Sequence, residues 1–142
     1  MILYLDTSAL IKLYVSEAQS DAVERLREQA SIVATVMVSY AEAAATFARR
    51  IREQPTMAND LSAARREFFA DWPLYLRFPV SQPLLDEAAR LADGFALRGY
   101  DSVQLAAARL VGQDHDIVFA SFDTRLANAA ELLGMKLPFP KP

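Results

Sequence analysis

Four carboxylates stand where a folded chain could bring them together: Asp6, Glu42, Asp101 and Asp123. Asp6 directly follows the apolar run Ile2–Leu5, and Asp123 follows the apolar run Ile117–Ala120. Glu42 closes Ser39-Tyr40-Ala41-Glu42, a pattern that matches a capping box at the start of a helix. Asp101 stands just before the helical segment 102–111. Singly, each acid has a plain structural use, because such residues satisfy free backbone N–H groups at helix starts. Together they pose a different problem. Converging carboxylates repel one another and need a cation among them. An all-oxygen donor set suits Mg²⁺ or Mn²⁺. Such an ion polarises a phosphate and supports hydrolysis of a phosphodiester. The set Asp6, Glu42, Asp101 and Asp123 is therefore expected both to bind metal and to be catalytic.

The elements that must position these acids are legible from the apolar spacing. Ile2–Leu5, Ile32–Val36, 74–80 and Ile117–Ala120 read as strands, rich in β-branched and aromatic residues. Helical spacing covers 7–15, 16–29, a long segment from Ser39 to before Pro55, 57–71, 83–97 with Gly99 ending it or separating it from the next, 102–111 and 123–133. Residues 135–139 could add an edge strand. Strands and helices alternate, which predicts an α/β fold: a three-layer α/β/α sandwich with a central parallel sheet. In such a sheet every strand ends at one edge, where open α/β folds bind ligands. With no linker, repeat or low-complexity tract, residues 1–142 are expected to form a single domain.

Composition narrows the function. The chain has 142 residues, 53% hydrophobic, with no cysteine and one histidine, His115. That excludes disulfides, thiolate-bound zinc and a histidine-rich metal site. No apolar run approaches the roughly 20 residues that span a bilayer, and no export signal is evident, so a soluble cytoplasmic protein without membrane contact is expected. The net charge of −3 argues against nucleic-acid binding by basic charge alone. Metal held by carboxylates would supply the missing positive charge.

Among the neighbours, Thr7, Ser8 and Ser121 could donate hydrogen bonds to a carboxylate or a phosphate. Arg98 and Arg125 stand close to proposed catalytic acids and are candidates for holding substrate. Lys12 lies about a helical turn beyond Ser8. The clusters Arg49, Arg50, Arg52 and Arg65, Arg66 are read as solvated helix faces rather than RNA contacts. Tyr100 could stack on a base; Trp72 is read as packing, and His115 as a residue of a surface turn.

The motifs carry a resemblance. Leu3-Tyr4-Leu5-Asp6-Thr7-Ser8-Ala9-Leu10, Ser39-Tyr40-Ala41-Glu42-Ala43, Gly99-Tyr100-Asp101-Ser102-Val103-Gln104-Leu105 and Phe119-Ala120-Ser121-Phe122-Asp123-Thr124-Arg125-Leu126 resemble, in order, the four acid-bearing motifs of the PIN-domain family, specifically its VapC-type toxins. The resemblance implies a Mg²⁺- or Mn²⁺-dependent endoribonuclease, a homodimer, and a cognate antitoxin of a type II toxin–antitoxin system. It makes Asp6 and Asp101 the principal metal ligands. Asp123 completes the site, and Glu42 binds metal or orients water. Residues 54–79 match no motif. Three rival readings remain at this point. A phosphatase of the haloacid dehalogenase type also places an Asp after its first strand, but wants a second acid where Ser8 stands. A receiver domain wants paired acids and a lysine that are not evident. A catalytically silent PIN-like binding module would have no need of four acids.

Overall fold

The computed structural model describes residues 1–139. Four strands, β1 (Ile2–Leu5), β2 (Ile32–Val36), β3 (Leu76–Phe78) and β4 (Ile117–Ala120), form one parallel sheet in the order β3-β2-β1-β4. Seven helices connect or flank them: α1 (Thr7–Leu10), α2 (Ser20–Gln29), α3 (Ser39–Glu53), α4 (Ala58–Asp71), α5 (Gln82–Phe95), α6 (Gly99–Gly112) and α7 (Thr124–Leu132). Strand side chains alternate between faces, and both faces of this sheet are covered. Tyr4 packs with Leu84, Leu105 and Leu126 of α5, α6 and α7. Leu3 and Leu5 pack with Val23, Phe47 and Phe68 of α2, α3 and α4. The three-layer α/β/α sandwich read from the sequence is the architecture found.

Register fixes the functional edge. Leu5 lies opposite Ala120, so Asp6 and Ser121 leave the sheet side by side. β2 runs parallel to β1 through Tyr4 and Ala34, which puts the start of α3 at the same edge.

Several boundaries differ from the sequence reading. The helix expected over 7–15 is a single turn, α1, followed by a 3-10 turn at Ile11–Leu13. The next helix begins at Ser20 rather than near residue 16. β3 occupies three residues of the expected 74–80. Trp72–Leu74 coils into a 3-10 turn, and β2 offers a partner only along Ala34–Val36. Residues 135–139 contribute one bridge, Val118 to Lys136, in place of a strand. Gly99 opens α6 and so stands between the two helices without ending α5, whose C-cap, Ala96, takes the left-handed conformation.

Candidate active site

Asp6 sits where β1 turns into α1, and it is 4% exposed. Its Oδ1 accepts from the Ala9 backbone N–H at 2.9 Å and so caps α1. Ser8 Oγ donates to the same oxygen at 2.6 Å, and Ser121 Oγ donates to Oδ2 at 2.5 Å. Each serine also accepts from the chain after β4: Phe122 N–H to Ser8 at 3.0 Å, and Asp123 N–H to Ser121 at 3.1 Å. The two hydroxyls thus tie the end of β1 to the end of β4 through one carboxylate. Burial pushes the Asp6 pKa up to about 6. The three hydrogen bonds oppose that rise, and the charge of Asp101 adds to it.

Glu42 occupies the first turn of α3. Burial raises its pKa, against the hydrogen bonds from Gln104 and Thr7. The capping box expected of Ser39 and Glu42 does not form. Ser39 is already inside the helix, fully buried, and the N-cap residue is Val38. The Ser39 hydroxyl is instead one step in a chain of hydrogen bonds. Thr35 Oγ1 gives its proton to the Leu5 carbonyl at 2.8 Å, so Ser39 donates to Thr35 at 2.7 Å and accepts from Gln104 Nε2 at 2.9 Å.

Gln104 is the residue that reading the sequence passes over. It stands one turn beyond Asp101 on α6 and is 2% exposed. Its Nε2 reaches Glu42 Oε1 at 3.0 Å, Ser39 at 2.9 Å and Thr7 Oγ1 at 3.2 Å, while its Oε1 accepts from the Tyr4 hydroxyl at 2.8 Å. Two amide hydrogens serve three acceptors, so at least one hydrogen is shared. This amide joins β1, α1, α3 and α6 behind the acids. Its i+3 spacing from Asp101, within the third acid-bearing motif, is the signal the sequence holds.

Asp101 lies in the first turn of α6, not at its cap, and Asp123 caps α7 by accepting from the Leu126 N–H at 2.9 Å. Arg98 spans the two: Nε meets Asp101 Oδ2 at 3.0 Å, and Nη2 meets Asp123 Oδ2 at 3.5 Å. Both acids raise the Arg98 pKa, Asp101 first. Asp6, Glu42, Asp101 and Asp123 line a single cavity of about 370 Å³. Thr7, Ser8 and Arg98 line it too. Ser121 lines the neighbouring apolar hollow of about 530 Å³, which shares Asp123 and Phe122 with the acid cavity.

As the side chains stand, each acid has a partner of its own: serines for Asp6, Gln104 for Glu42, Arg98 for Asp101 and Asp123. Among the described residues, no three acids or histidines are drawn in closely enough to enclose one ion. The donor chemistry nevertheless fits a hard divalent cation. The ligands available are all oxygen, and the buried Asp6 carries a charge whose cost a cation would offset.

Other expected contributors divide. Lys12, Arg49 and Arg50 line the acid cavity, whereas Arg52, Arg65, Arg66, Tyr100 and Arg125 do not. Arg125 lies in the first turn of α7 and is exposed, so adjacency in sequence to Asp123 does not bring it to the cavity. Trp72 packs among Tyr40, Phe68 and Tyr75, as expected of a packing residue. His115 is exposed at the turn preceding β4, away from the acids.

With this geometry in hand, comparison with known proteins is direct. The family model described as PIN domain matches residues 3–132. The chain belongs to the PIN-domain family. Among relatives of this PIN domain, Ribonuclease VapC46 of Mycobacterium tuberculosis is 36% identical over 139 residues, covering 97% of each chain. Ribonuclease VapC49 of the same organism is 29% identical over 136 residues, covering 96% of this chain and 94% of that one. Solved structures agree in fold. FitAcB from Neisseria gonorrhoeae superposes with a TM-score of 0.69 at 17% identity, covering 96% of both chains. M. tuberculosis VapC20, described as a sarcin–ricin-loop-cleaving toxin, superposes with a TM-score of 0.64 at 17% identity, covering 89% of this chain and 94% of that one. The haloacid dehalogenase and receiver readings find no counterpart in these matches. Among the described residues, no helix is long and apolar enough to cross a membrane.

Proposed function

We propose that this single PIN domain is a Mg²⁺- or Mn²⁺-dependent endoribonuclease of the VapC type, the toxin of a toxin–antitoxin pair. On this reading it acts in the cytoplasm as a homodimer held in check by a cognate antitoxin. The observation that carries the proposal is the convergence of Asp6, Glu42, Asp101 and Asp123, from four distant segments, on one cavity at the strand-end edge of the sheet. Relatives named ribonucleases over nearly the whole chain support the same reading. The family's structural neighbours include FitAB bound to a DNA fragment, at 17% identity.

Asp6, Asp101 and Asp123 are the proposed metal ligands, with Glu42 at the margin. A divalent ion, when bound, supplies Lewis-acid charge stabilisation at the phosphate. The chain's own groups do the rest. Ser8, Ser121 and the Ala9 N–H fix the Asp6 carboxylate in one orientation. Gln104 fixes Glu42, whose raised pKa makes it a better proton acceptor than an ordinary carboxylate. Glu42 takes one proton of the attacking water as the water oxygen bonds to phosphorus; the P–O bond to the leaving strand breaks, and the departing oxygen takes a proton from solvent. Arg98, with its side chain 77% exposed, is placed to turn from Asp101 and Asp123 toward the phosphate once other positive charge balances them.

The test is cleavage of a structured RNA by the purified protein with Mg²⁺ or Mn²⁺, and with excess chelator. Metal-dependent cleavage that Asp101→Asn reduces by roughly 10²-fold or more is expected. Full activity in a contamination-free Asp101→Asn protein, or release of phosphate from a monoester without RNA cleavage, would reject the proposal.

A further inference from the structure

The cavity has two poles of opposite charge. At one end stand the four acids. At the other stand Lys12, Arg49 and Arg50 with one carboxylate, Glu17, which pairs with Lys12 and Arg50. Lys12 Nζ meets Glu17 Oε1 at 3.2 Å and the Ala18 carbonyl at 2.8 Å; Arg50 Nη1 meets Glu17 Oε2 at 2.8 Å. Lys12 also lies 4.8 Å from the centre of the Phe122 ring, at the wall shared with the acid end. Lys12 and Arg50 are partly buried, at 13% and 23% exposure, so they are held in place rather than free in solvent.

Helix geometry explains why they meet there. Position 46 lies four residues beyond Glu42, and positions 49 and 50 lie three and four beyond 46, so these side chains follow one another along one face of α3. Thr46, Arg49 and Arg50 line the cavity with Glu42, while Arg52 points elsewhere. The expectation of a solvated helix face thus fails for Arg50, which is partly buried and paired with Glu17, while Arg49 is exposed at the cavity wall. In a chain of net charge −3, three cations facing one carboxylate inside the candidate active site form a local excess of positive charge that the fold as a whole lacks.

We infer that Lys12, Arg49 and Arg50, two of them held by Glu17, form an anion subsite that takes a backbone phosphate of the RNA strand beside the one being cleaved. The inference rests on the ribonuclease reading and adds to it a second point of attachment. Carboxylates at one pole need metal before they tolerate a phosphate; the basic pole needs none. A strand lying across both is fixed in direction and register by backbone contacts, without reading its bases. Glu17 is a positioning residue here: it holds the ammonium and the guanidinium toward the cavity and leaves their sum positive.

The experiment measures binding of a fluorescent single-stranded RNA of about 12 nucleotides, a length typical of single-strand sites. Anisotropy is read across a salt series, in chelator to prevent cleavage. The variants are Arg49→Gln/Arg50→Gln and, as a control with the same change in charge, Arg65→Gln/Arg66→Gln on α4. The first pair is expected to weaken binding roughly three- to tenfold and to flatten the slope of log K against log salt by about 0.7 to 1.4, the value for one or two lost phosphate contacts on a single strand. The control pair should match wild type. Equal slopes for all three proteins, or equal losses in both pairs, overturn the subsite. Cleavage by wild type in Mg²⁺, measured alongside, separates the two claims. Cleavage with equal slopes rejects the subsite and leaves the nuclease; a flattened slope without cleavage does the reverse. No RNA binding by wild type in chelator rejects the subsite, and the absence of cleavage in Mg²⁺ as well rejects both.

Discussion

Asp6 is a buried carboxylate that the fold keeps at a cost, and replacing it offers a quantitative test. Its pKa stands at about 6 in the folded protein against an ordinary 3.8. That difference corresponds to about 3 kcal/mol by which ionisation of Asp6 opposes folding. The sign follows from proton affinity. The folded protein holds the proton more tightly than the unfolded chain, so this contribution favours folding fully below pH 3.8 and is lost as pH rises through about 6. Asp6→Asn removes the charge permanently. It also disturbs the hydrogen bonds from Ser8 and Ser121, because one carboxylate oxygen becomes an NH₂ group facing a serine that donates to it in wild type. That loss offsets about 1–2 kcal/mol of the gain. In chelator near neutral pH the variant should be more stable by about 1–2 kcal/mol, raising Tm by about 3–6 °C. Near pH 4.5, where wild-type Asp6 is mostly protonated, the advantage should vanish or reverse. Scanning calorimetry of both proteins in metal-free buffer across this range checks it. A Tm difference independent of pH, or an Asn variant less stable than wild type at about pH 8, would show that burial does not tax this carboxylate as argued.

Three further outcomes are expected. Millimolar Mg²⁺ should raise the Tm of wild type by linkage and raise that of Asp6→Asn much less, as read by the same calorimetry. Gln104→Leu should destabilise the fold by about 2–4 kcal/mol in a denaturant titration, since the fully buried Tyr4 and Ser39 each lose a partner, as does Glu42 at the cavity wall. Phe68→Ala should cost about 3–5 kcal/mol in the same titration, because Phe68 is fully buried against Phe47, Tyr40 and Trp72.

Much of this site could be read from the chain because its acids follow local rules. Asp6 and Asp123 come directly or shortly after apolar strands, and parallel strands deliver the residues beyond their ends to one edge. Glu42 and Asp101 each enter at the start of a helix, which the spacing of apolar residues also exposes. The parts that escape depend on contacts between distant segments. Gln104 looks like any helix former until Tyr4, Thr7 and Ser39 surround it. Ser39 fits the pattern of a cap, yet the helix starts a residue early because its hydroxyl has a buried partner in Thr35. Arg125 sits two residues from Asp123, but the turn of α7 carries it away from the cavity. Edge elements are overestimated for a related reason: a strand extends only as far as its neighbour offers backbone groups to pair with, and the sequence of β3 does not state that length.

The placement of β4 beside β1 carries a consequence for synthesis. The first and last strands are neighbours, and their ends are joined by hydroxyls donated from both sides to Asp6. A chain that stops before β4 holds Asp6, Glu42 and Asp101 but lacks Ser121 and Asp123, so Asp6 is short of one serine donor and the cavity of one of its four acids. The four-acid cavity is therefore complete only once the last strand has been delivered and laid beside the first.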